Sequence, residues 1–350
     1  MSADLLLVLD KRDMLVRLEG KALRVERPDG ALQRVPLGML GMVVVHGAPA
    51  VTCDVWRALA ERFIPAVLAP VRTQGTAWLG AGLSTAIQIR CRQHELARDP
   101  AATLAVARQW IRLKLTMQRQ LLAALPPPVN ATPTGEIRAA LERELAALAA
   151  VESVAALMGV EGAAAAAWYG WLAAHLPAPW KFTGRNRWPP RDPVNALLSL
   201  GYTLLGAEML SAVQEAGLDS ALGFLHGIVP GRESLALDLI EPLRPGVDTL
   251  VLRLLDQVVT PAHFTRHPVQ GCRLDKEGRG LFYPAWASAR QYWPLPLAPA
   301  VELGDWTVVS AEAQVDQSLR IQCRRMIRVL RSLLQAPADA AGAEEGETDG

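Results

Sequence analysis

Three residues between positions 226 and 241 have the chemical types and the spacing of half a metal site. His226 lies in a loop between Gly223 and Gly227, and Asp238 and Glu241 follow on an apolar run. If this run is helical, the two carboxylates project from one face, because positions three apart are neighbours on a helix. The glycines leave the backbone free to turn the imidazole towards that face. An imidazole nitrogen with carboxylate oxygens suits Mg²⁺ or Mn²⁺ better than a thiolate-bound zinc site.

The same residues also have a plain structural explanation. Acidic side chains are common in the first turn of a helix because they complement the helix dipole, and a histidine between glycines is commonly a solvated loop residue. Spacing alone leaves both explanations open, because the sequence contains no metal-binding signature of the His-Glu-x-x-His kind.

Two groups of basic residues indicate a polyanionic partner. The first is the basic aromatic loop, residues 180–191 (WKFTGRNRWPPR), in which four bases alternate with three aromatic residues. This composition predicts a surface that holds phosphates and stacks bases. The second is the arginine stripe, a row of bases at helical spacing near the C-terminus: Arg320, Arg324, Arg328 and Arg331. A solvated helix face explains the arginine stripe about as well as DNA binding does.

Length and composition set the class of protein. A chain of 350 residues that is 51% hydrophobic can form two domains with real cores, and it is not a largely disordered protein. Its four cysteines are far apart and form no CxxC pair, which argues against a zinc ribbon or a disulfide framework and favours a reducing cytoplasm. We expect neither a signal peptide nor a membrane span, and the Ala-rich stretch 157–176 is interpreted as a buried helix.

The C-terminal segment 336–350 differs from the rest of the chain. It carries five acids and no base, so the other residues hold all 36 bases against 30 of the 35 acids. The segment has no large apolar side chain. We therefore expect it to be disordered and dispensable for the chemistry.

The elements that must position these residues fall into two parts with different periodicity. Up to about residue 82, short alternating apolar runs predict β-strands, with one helix at about 53–62. From about residue 88 the apolar period becomes helical. The predicted helices cover about 101–125, 136–158, 161–175, 193–216, 235–258 and 311–335. The predicted fold is α+β with two domains: a small N-terminal β-sheet domain (1–85), a larger all-helical catalytic domain (86–335) and the disordered acidic tail (336–350).

Four ordered blocks of the helical part closely resemble the CRISPR-associated integrases of spacer acquisition, the "Cas one" family. The blocks are GVEGAAA from residue 159, RNRWPPRDPVNALLSLGY from residue 185, GFLH from residue 223 and SLALDLIEPLRP from residue 234. The resemblance extends over nearly the whole chain, including the order of strands before helices. One departure is Met117-Gln118, where the family often shows an Asn-Gln pair.

The resemblance implies a DNA endonuclease and integrase that depends on Mg²⁺ or Mn²⁺. The metal ligands that it implies are Glu161, His226 and Glu241, and Asp238 is a further catalytic acid that orients His226 or binds a second ion. The implied reaction is the attack of a DNA 3′-hydroxyl on a phosphodiester of a CRISPR repeat array, which inserts a short foreign DNA fragment. With water in place of the hydroxyl, the same site would act as a nuclease.

The predicted DNA contacts are Lys181, Arg185 and Arg187 of the basic aromatic loop, Asn195 and Ser199 of the helix that follows it, and Arg244. Asn195, Ser199 and Tyr202 share a helix face, and a polar seam inside the bundle would explain this face equally well. The resemblance further implies double-stranded and branched DNA as ligands. It also implies a homodimer, with two dimers in each complex and a small ferredoxin-like adaptation partner that bridges them.

Two functions of other classes stay open at this point. A general repair nuclease would use the same ligands to cut branched DNA without joining ends. A non-catalytic DNA-binding scaffold would bind DNA without a metal ion.

Overall fold

The computed structural model describes residues 4–69, 76–80, 86–124, 134–186, 189–268, 271–297, 300–303, 306–309 and 317–335. Strands occupy the first part of the described chain and helices most of the rest, so the predicted α+β fold class is confirmed. The acidic tail and Arg187 lie outside the described residues, and the predictions made for them stay predictions.

In the described N-terminal part, the strands form two four-stranded sheets. The first sheet has the order β1-β5-β7-β8, in which β8 alone is antiparallel to its neighbour. The second has the order β4-β3-β2-β6, with tight turns at Gly20 and Gly30, where φ is positive. The strands are β1 (Leu5–Leu9), β2 (Leu15–Glu19), β3 (Ala22–Glu26), β4 (Leu32–Pro36), β5 (Leu40–Val45), β6 (Ala50–Val51), β7 (Ala66–Leu68) and β8 (Ala77–Leu79).

Strand β5 is buried on both faces and joins the sheets to the helices. Val43 and Val45 pack into a core that contains the second sheet and helix α1 (Cys53–Ala60), whereas Met42 and Val44 pack into the core of the helical part. A parallel strand covered on both sides is expected to be apolar throughout rather than alternating, and the sequence LGMVVV has this character.

The later helices pack around one long central helix, α6 (Pro193–Glu215). It passes the length and composition test for a membrane-crossing helix, but 72% of its most apolar window is buried inside the protein, as in a core helix. The other helices are α2 (Ile87–Arg98), α3 (Pro100–Ala124), α4 (Thr134–Ala147), α5 (Val154–His175), α7 (Ser234–Ile240), α8 (Arg244–Gln257), α9 (Lys276–Gln291) and α10 (Leu319–Gln335).

Helix α5 begins before the predicted start at Glu161. Its N-cap is Ser153, whose side chain accepts a hydrogen bond from the backbone N–H of Ala156 (3.2 Å). Such a cap satisfies an N–H group that the helix itself cannot pair, and it fixes the start of the helix. The predicted break after residue 158 is therefore wrong, and Glu161 lies well inside the helix.

The predicted helix over residues 235–258 is interrupted. Helix α7 ends at Ile240, a single 3₁₀ turn covers Glu241–Leu243, and α8 begins at Arg244. Pro242 and Pro245 cause the interruption, because proline has no N–H to donate and fits only the first turn of a helix. Glu241 therefore stands at a junction between two helices.

Several elements were not predicted. Helix α9 begins at Lys276 and continues past Pro284. Its N-cap is Asp275, whose carboxylate accepts from the N–H of Gly278 (2.7 Å). Two antiparallel strand pairs also lie within the otherwise helical part. They are β9 (Phe264–His267) with β10 (Gly271–Leu274), and β11 (Ala300–Leu303) with β12 (Trp306–Val309). In the described residues the last helix starts at Leu319, and residues 311–316 of the predicted helix lie outside them.

Candidate active site

Two of the three predicted metal ligands meet at one buried ammonium group. Lys114 of α3 places its Nζ 2.5 Å from Glu161 Oε1 on α5 and 2.7 Å from Glu241 Oε2 at the α7–α8 junction. The Lys114 side chain is 9% exposed, the Glu241 side chain 6% and the Glu161 side chain 28%, so the group opens to solvent on the Glu161 side. We call Lys114, Glu161 and Glu241 the carboxylate site.

Charges inside the carboxylate site stabilise one another. Burial alone would raise the pKa of Glu241, but Arg244 and Lys114 outweigh it and hold this pKa at about 2. Arg244 contributes through its Nε, which lies 2.9 Å from Glu241 Oε1. Burial alone would lower the pKa of Lys114, but Glu241 and Glu161 outweigh it and raise this pKa above its usual value. Both partners are therefore charged at neutral pH.

His226 is held by Asp238. The fully buried Asp238 carboxylate accepts the N–H groups of Phe224 (2.6 Å), Leu225 (2.9 Å) and His226 (2.9 Å), and its Oδ1 lies 2.7 Å from His226 Nδ1. A Cβ on Gly223 would come within 2.8 Å of Asp238 Oδ2, so only glycine fits there without a shift. Both Asp238 oxygens are engaged, which favours the orienting role predicted for this residue over the binding of a second ion.

The donor set fits a divalent cation, although the carboxylate site is bridged by Lys114 instead. Among the residues that the structure describes, no group of three or more His, Cys, Asp or Glu side chains is arranged to hold a metal ion. His226 nevertheless lies close enough to Glu241 to lower its pKa. With Nδ1 held by Asp238, Nε2 is the nitrogen left to bind a metal, the usual arrangement of a metal-binding histidine with its supporting carboxylate. Glu161 and Glu241 already converge on one positive charge.

A tyrosine connects the carboxylate site to the basic aromatic loop. The guanidinium carbons of Arg244 and Arg185 lie 4.7 Å and 5.5 Å from the centre of the Tyr202 ring, a cation–π distance. The Tyr202 hydroxyl donates to the buried Asp248 carboxylate, which also accepts from Trp168 Nε1 (3.0 Å). Burial raises the pKa of Asp248 to about 6, and its hydrogen bonds only partly oppose this effect. Tyr202 therefore fixes the position of both arginines.

Asn195 is placed differently from its predicted role as a DNA contact. It is fully buried, and its Oδ1 accepts from Arg185 Nη1 (2.8 Å) while its Nδ2 donates to Asp192 Oδ2 (2.7 Å). Ser199 Oγ lies 3.2 Å from Arg185 Nη2. Asn195 is therefore a positioning residue for Arg185, and Ser199 contacts the same guanidinium. This is the polar seam that the helical spacing also allowed.

Among the described residues of the basic aromatic loop, the aromatic side chains are buried and two of the basic ones are exposed. Trp180 and Phe182 are each 6% exposed and belong to the core, so the prediction that they stack bases is wrong for both, and Trp188 lies outside the described residues. Lys181 and Arg191 are exposed. Three cations of the loop, Lys181, Arg185 and Arg191, line an open cavity of about 340 Å³. Asn186, Asp192 and Arg266 of β9 line it as well.

The arginine stripe contributes to packing. Arg324 pairs with Glu215 at the end of α6 (2.9 Å), and Arg331 Nη2 donates to the carbonyl of Ala216 (3.0 Å). Two of its four cations thus hold α10 against α6. For these two residues the structure favours a structural role over DNA binding.

Lys114 was not identified from the sequence. It lies on the apolar face of α3, one turn after the buried Trp110, and one turn before the equally buried Gln118. A single lysine on a helix face of this kind is a signal that can be read from sequence, because buried lysines are nearly always paired. Its partners are 47 and 127 positions away, and no local pattern identifies them.

Comparisons with known proteins confirm the family resemblance. Residues 7–288 match the family described as CRISPR associated protein Cas1. The CRISPR-associated endonuclease Cas1 2 of Rhodospirillum rubrum is 34% identical over 289 residues, covering 79% of this chain and 83% of that protein. A casposase bound to integration product has the same fold, with a TM-score of 0.76 and 21% identity over 94% of this chain and 90% of that one. A Cas6-RT-Cas1–Cas2 complex matches with a TM-score of 0.74 and 21% identity, over 95% of this chain and 35% of that one. The chain belongs to the Cas1 family of CRISPR-associated proteins.

Proposed function

We propose that this protein is a metal-dependent DNA integrase and endonuclease that inserts short foreign DNA fragments into a CRISPR repeat array. The observation that carries the proposal is the convergence of Glu161 and Glu241 on one buried cation, beside a histidine oriented by Asp238. The names of the relatives support it, because they describe Cas1 endonucleases and, among solved structures, an enzyme bound to an integration product.

Glu161, His226 and Glu241 would hold the ion, which we propose to be Mg²⁺ or Mn²⁺. When bound, such an ion neutralises the charge of a phosphodiester and assists attack by a hydroxyl group. The protein's own residues orient the reactants. Asp238 keeps the proton on His226 Nδ1, and Arg244, held between Glu241 and the Tyr202 ring, presents a fixed positive charge to a phosphate.

The partners follow from the same assignment. The exposed cations around the 340 Å³ cavity provide a phosphate-binding surface for double-stranded and branched DNA. The solved Cas6-RT-Cas1–Cas2 complex supports a Cas2-type partner, which we propose to be small and ferredoxin-like and to bridge two homodimers. We place the reaction in the cytoplasm, where the cysteines stay reduced.

The proposal is tested by conservative substitution of the three ligands. Glu161→Gln, His226→Asn and Glu241→Gln should each lower Mn²⁺-dependent strand transfer at least 100-fold, because losing one of three protein ligands weakens and misplaces the ion. The assay incubates the protein, with and without its small partner, with a short duplex and a repeat-bearing plasmid. Glu152→Gln, an exposed carboxylate just before α5, is the matched control and should keep its activity.

Three outcomes separate the candidate functions. Near-wild-type strand transfer in any of the three variants would disprove this ligand set. Cleavage of branched DNA by the wild-type protein without any joining would indicate a repair nuclease. Tight DNA binding with no bound Mn²⁺ would indicate a non-catalytic scaffold.

Lys181 tests the DNA surface. It is exposed beside the cavity, and Lys181→Glu should weaken binding to any duplex sequence. The slope of log affinity against log salt should fall by about 0.9 for each phosphate that the variant no longer neutralises. Fluorescence anisotropy across a salt titration measures both quantities.

Arg324→Glu is the matched control for charge, because the structure pairs Arg324 with Glu215. The salt slope should stay unchanged in this variant. Equal decreases of affinity in the two variants would mean that the arginine stripe is as much a DNA surface as the basic aromatic loop.

A further inference from the structure

The position of the Lys114 ammonium is unusual for a structural lysine. Its Nζ is shared by carboxylates from two separate elements, at 2.5 Å and 2.7 Å, and Arg244 supplies a second positive charge to Glu241 from the opposite oxygen. Without Lys114, the buried Glu241 would keep only Arg244 as a nearby cation. The negative charge of Glu161 would then face the negative charge of Glu241. Lys114 therefore removes the repulsion that would otherwise separate the two proposed ligands.

The same point in space is where a metal ion would have to bind. Glu161 and Glu241 would hold a divalent ion where their carboxylates converge, because carboxylate oxygens are preferred ligands of Mg²⁺. The Lys114 Nζ now lies between an oxygen of Glu161 and an oxygen of Glu241. A divalent ion and an ammonium group cannot share this position, because at such a separation two positive charges repel strongly even in a polarisable protein interior.

We infer that Lys114 is an internal counter-cation that occupies the metal position of the carboxylate site in the metal-free protein and competes with the divalent ion for it. This inference rests on the proposed metal site and adds a positioning residue to it. The lysine stem has four flexible carbons, so the ammonium group can leave while the helix stays in place. The carboxylates are thereby kept in a binding arrangement before the ion arrives, at the cost of a lower metal affinity.

Metal affinity, rather than activity, distinguishes this role from that of a simple structural lysine. Mn²⁺ binding to the full-length protein is measured from the electron paramagnetic resonance signal of the free ion. Lys114→Met removes the competing charge at similar length, and Mn²⁺ should then bind about tenfold tighter or better. Lys114→Arg keeps the charge and should bind no tighter than the wild type. Lys276→Met loses the same charge at an exposed position on α9 and should bind as the wild type does.

Thermal unfolding supplies a second measurement. Without metal, Lys114→Met should melt lower than the wild type because its carboxylates are uncompensated, and Mn²⁺ should raise its melting temperature by more than it raises that of the wild type. If this variant does not fold, Lys114→Gln takes its place, because a neutral amide can still donate to both carboxylates.

The outcomes separate this inference from the proposal on which it rests. Unchanged or weaker Mn²⁺ binding in Lys114→Met and Lys114→Gln overturns the competition and makes Lys114 a structural brace. Glu161→Gln tests the metal site itself. If that variant binds Mn²⁺ as tightly as the wild type, the proposed site is wrong, whatever the Lys114 variants show.

Discussion

Two buried clusters in this protein share one plan, a cation between two carboxylates. The carboxylate site is the first, and the second, the junction cluster, consists of Arg290, Asp4 and Glu208. Arg290 on α9 donates through Nε to Glu208 on α6 and through Nη2 to Asp4 Oδ1, at 2.9 Å, just before β1. The junction cluster therefore ties the N-terminal sheet to the helices. The carboxylate site, by contrast, is the proposed position of a metal ion.

Access and the type of cation distinguish the clusters. In the junction cluster the side chains of Arg290, Glu208 and Asp4 are 1%, 6% and 10% exposed, whereas Glu161 in the carboxylate site is 28% exposed. Arginine is a rigid fork whose donors fix two partners at once, and lysine is a point charge on a flexible stem. A closed cluster built on arginine suits permanent attachment, and an open one built on lysine suits exchange with another cation.

The largest expected effect is on stability at the junction cluster. Arg290→Met should lower the free energy of unfolding by about 3–5 kcal/mol, because it removes the guanidinium to which both buried carboxylates are hydrogen-bonded. Urea unfolding with and without Mn²⁺ measures this decrease. The decrease should be the same in both conditions, since this closed cluster offers an ion no route in.

Arg290→Lys keeps the positive charge but lacks the forked donors of arginine. Its free energy of unfolding should therefore lie between those of Arg290→Met and the wild type. A strong rescue of Arg290→Met by Mn²⁺ would show that the junction cluster also accepts an ion. The carboxylate site would then not be the only one of the two clusters that exchanges its cation for a metal ion.

The contrast also shows what the sequence could predict. The period of apolar residues predicted strands before helices. The three-residue spacing predicted that Asp238 and Glu241 share a face of one helix, but that helix is interrupted at Glu241. These are local patterns. Neither cluster was predicted, because each joins residues that are far apart in sequence, such as Asp4 and Arg290.

Other differences between prediction and structure have local physical causes. The apolar period predicted a helix start at Glu161, but the Ser153 cap sets the start of α5 earlier. The composition of the basic aromatic loop does not show which of its side chains face the core. Base stacking was therefore predicted for Trp180 and Phe182, which are buried.

A smaller effect is expected from filling the space beside the junction cluster. Gly41 of β5 lies so close that an added Cβ would come within 1.7 Å of Asp4 Oδ1 and 2.9 Å of Arg290 Nη2. Gly41→Ala should cost about 1–3 kcal/mol of stability through overpacking, as measured by urea unfolding.

Gly38→Ala is the matched control, because an added Cβ there meets no atom within 4 Å. Its stability should stay close to that of the wild type. If Gly41→Ala were equally harmless, the packing of β5 against the junction cluster would be looser than its geometry indicates.

The smallest effect concerns a histidine at the same boundary between sheet and helices. His46 follows β5, and its Nε2 is hydrogen-bonded to the hydroxyl of Tyr283 on α9. Burial and the charges of Arg279 and Arg273 together lower the pKa of His46 to about 4, against the opposing effect of Asp10. His46 is therefore neutral in the folded protein at any pH above this value.

Acid should accordingly weaken the boundary between the sheets and the helices at His46. Between pH 6.5 and 4 the unfolded chain binds a proton at His46 that the folded protein does not, so stability is present above pH 6.5 and is lost as the pH falls towards 4. We expect a decrease of about 1–2 kcal/mol from this residue, less than the full shift would give because His46 is only partly buried. His46→Gln removes the titration, so the difference in unfolding free energy between wild type and variant should change across this range. Parallel stability curves would mean that His46 is solvated and that the junction is more open than the carboxylate site. Mn²⁺ affinity at pH 7.5 should be equal in the wild type and in His46→Gln, because His46 contacts Tyr283 and not the carboxylate site.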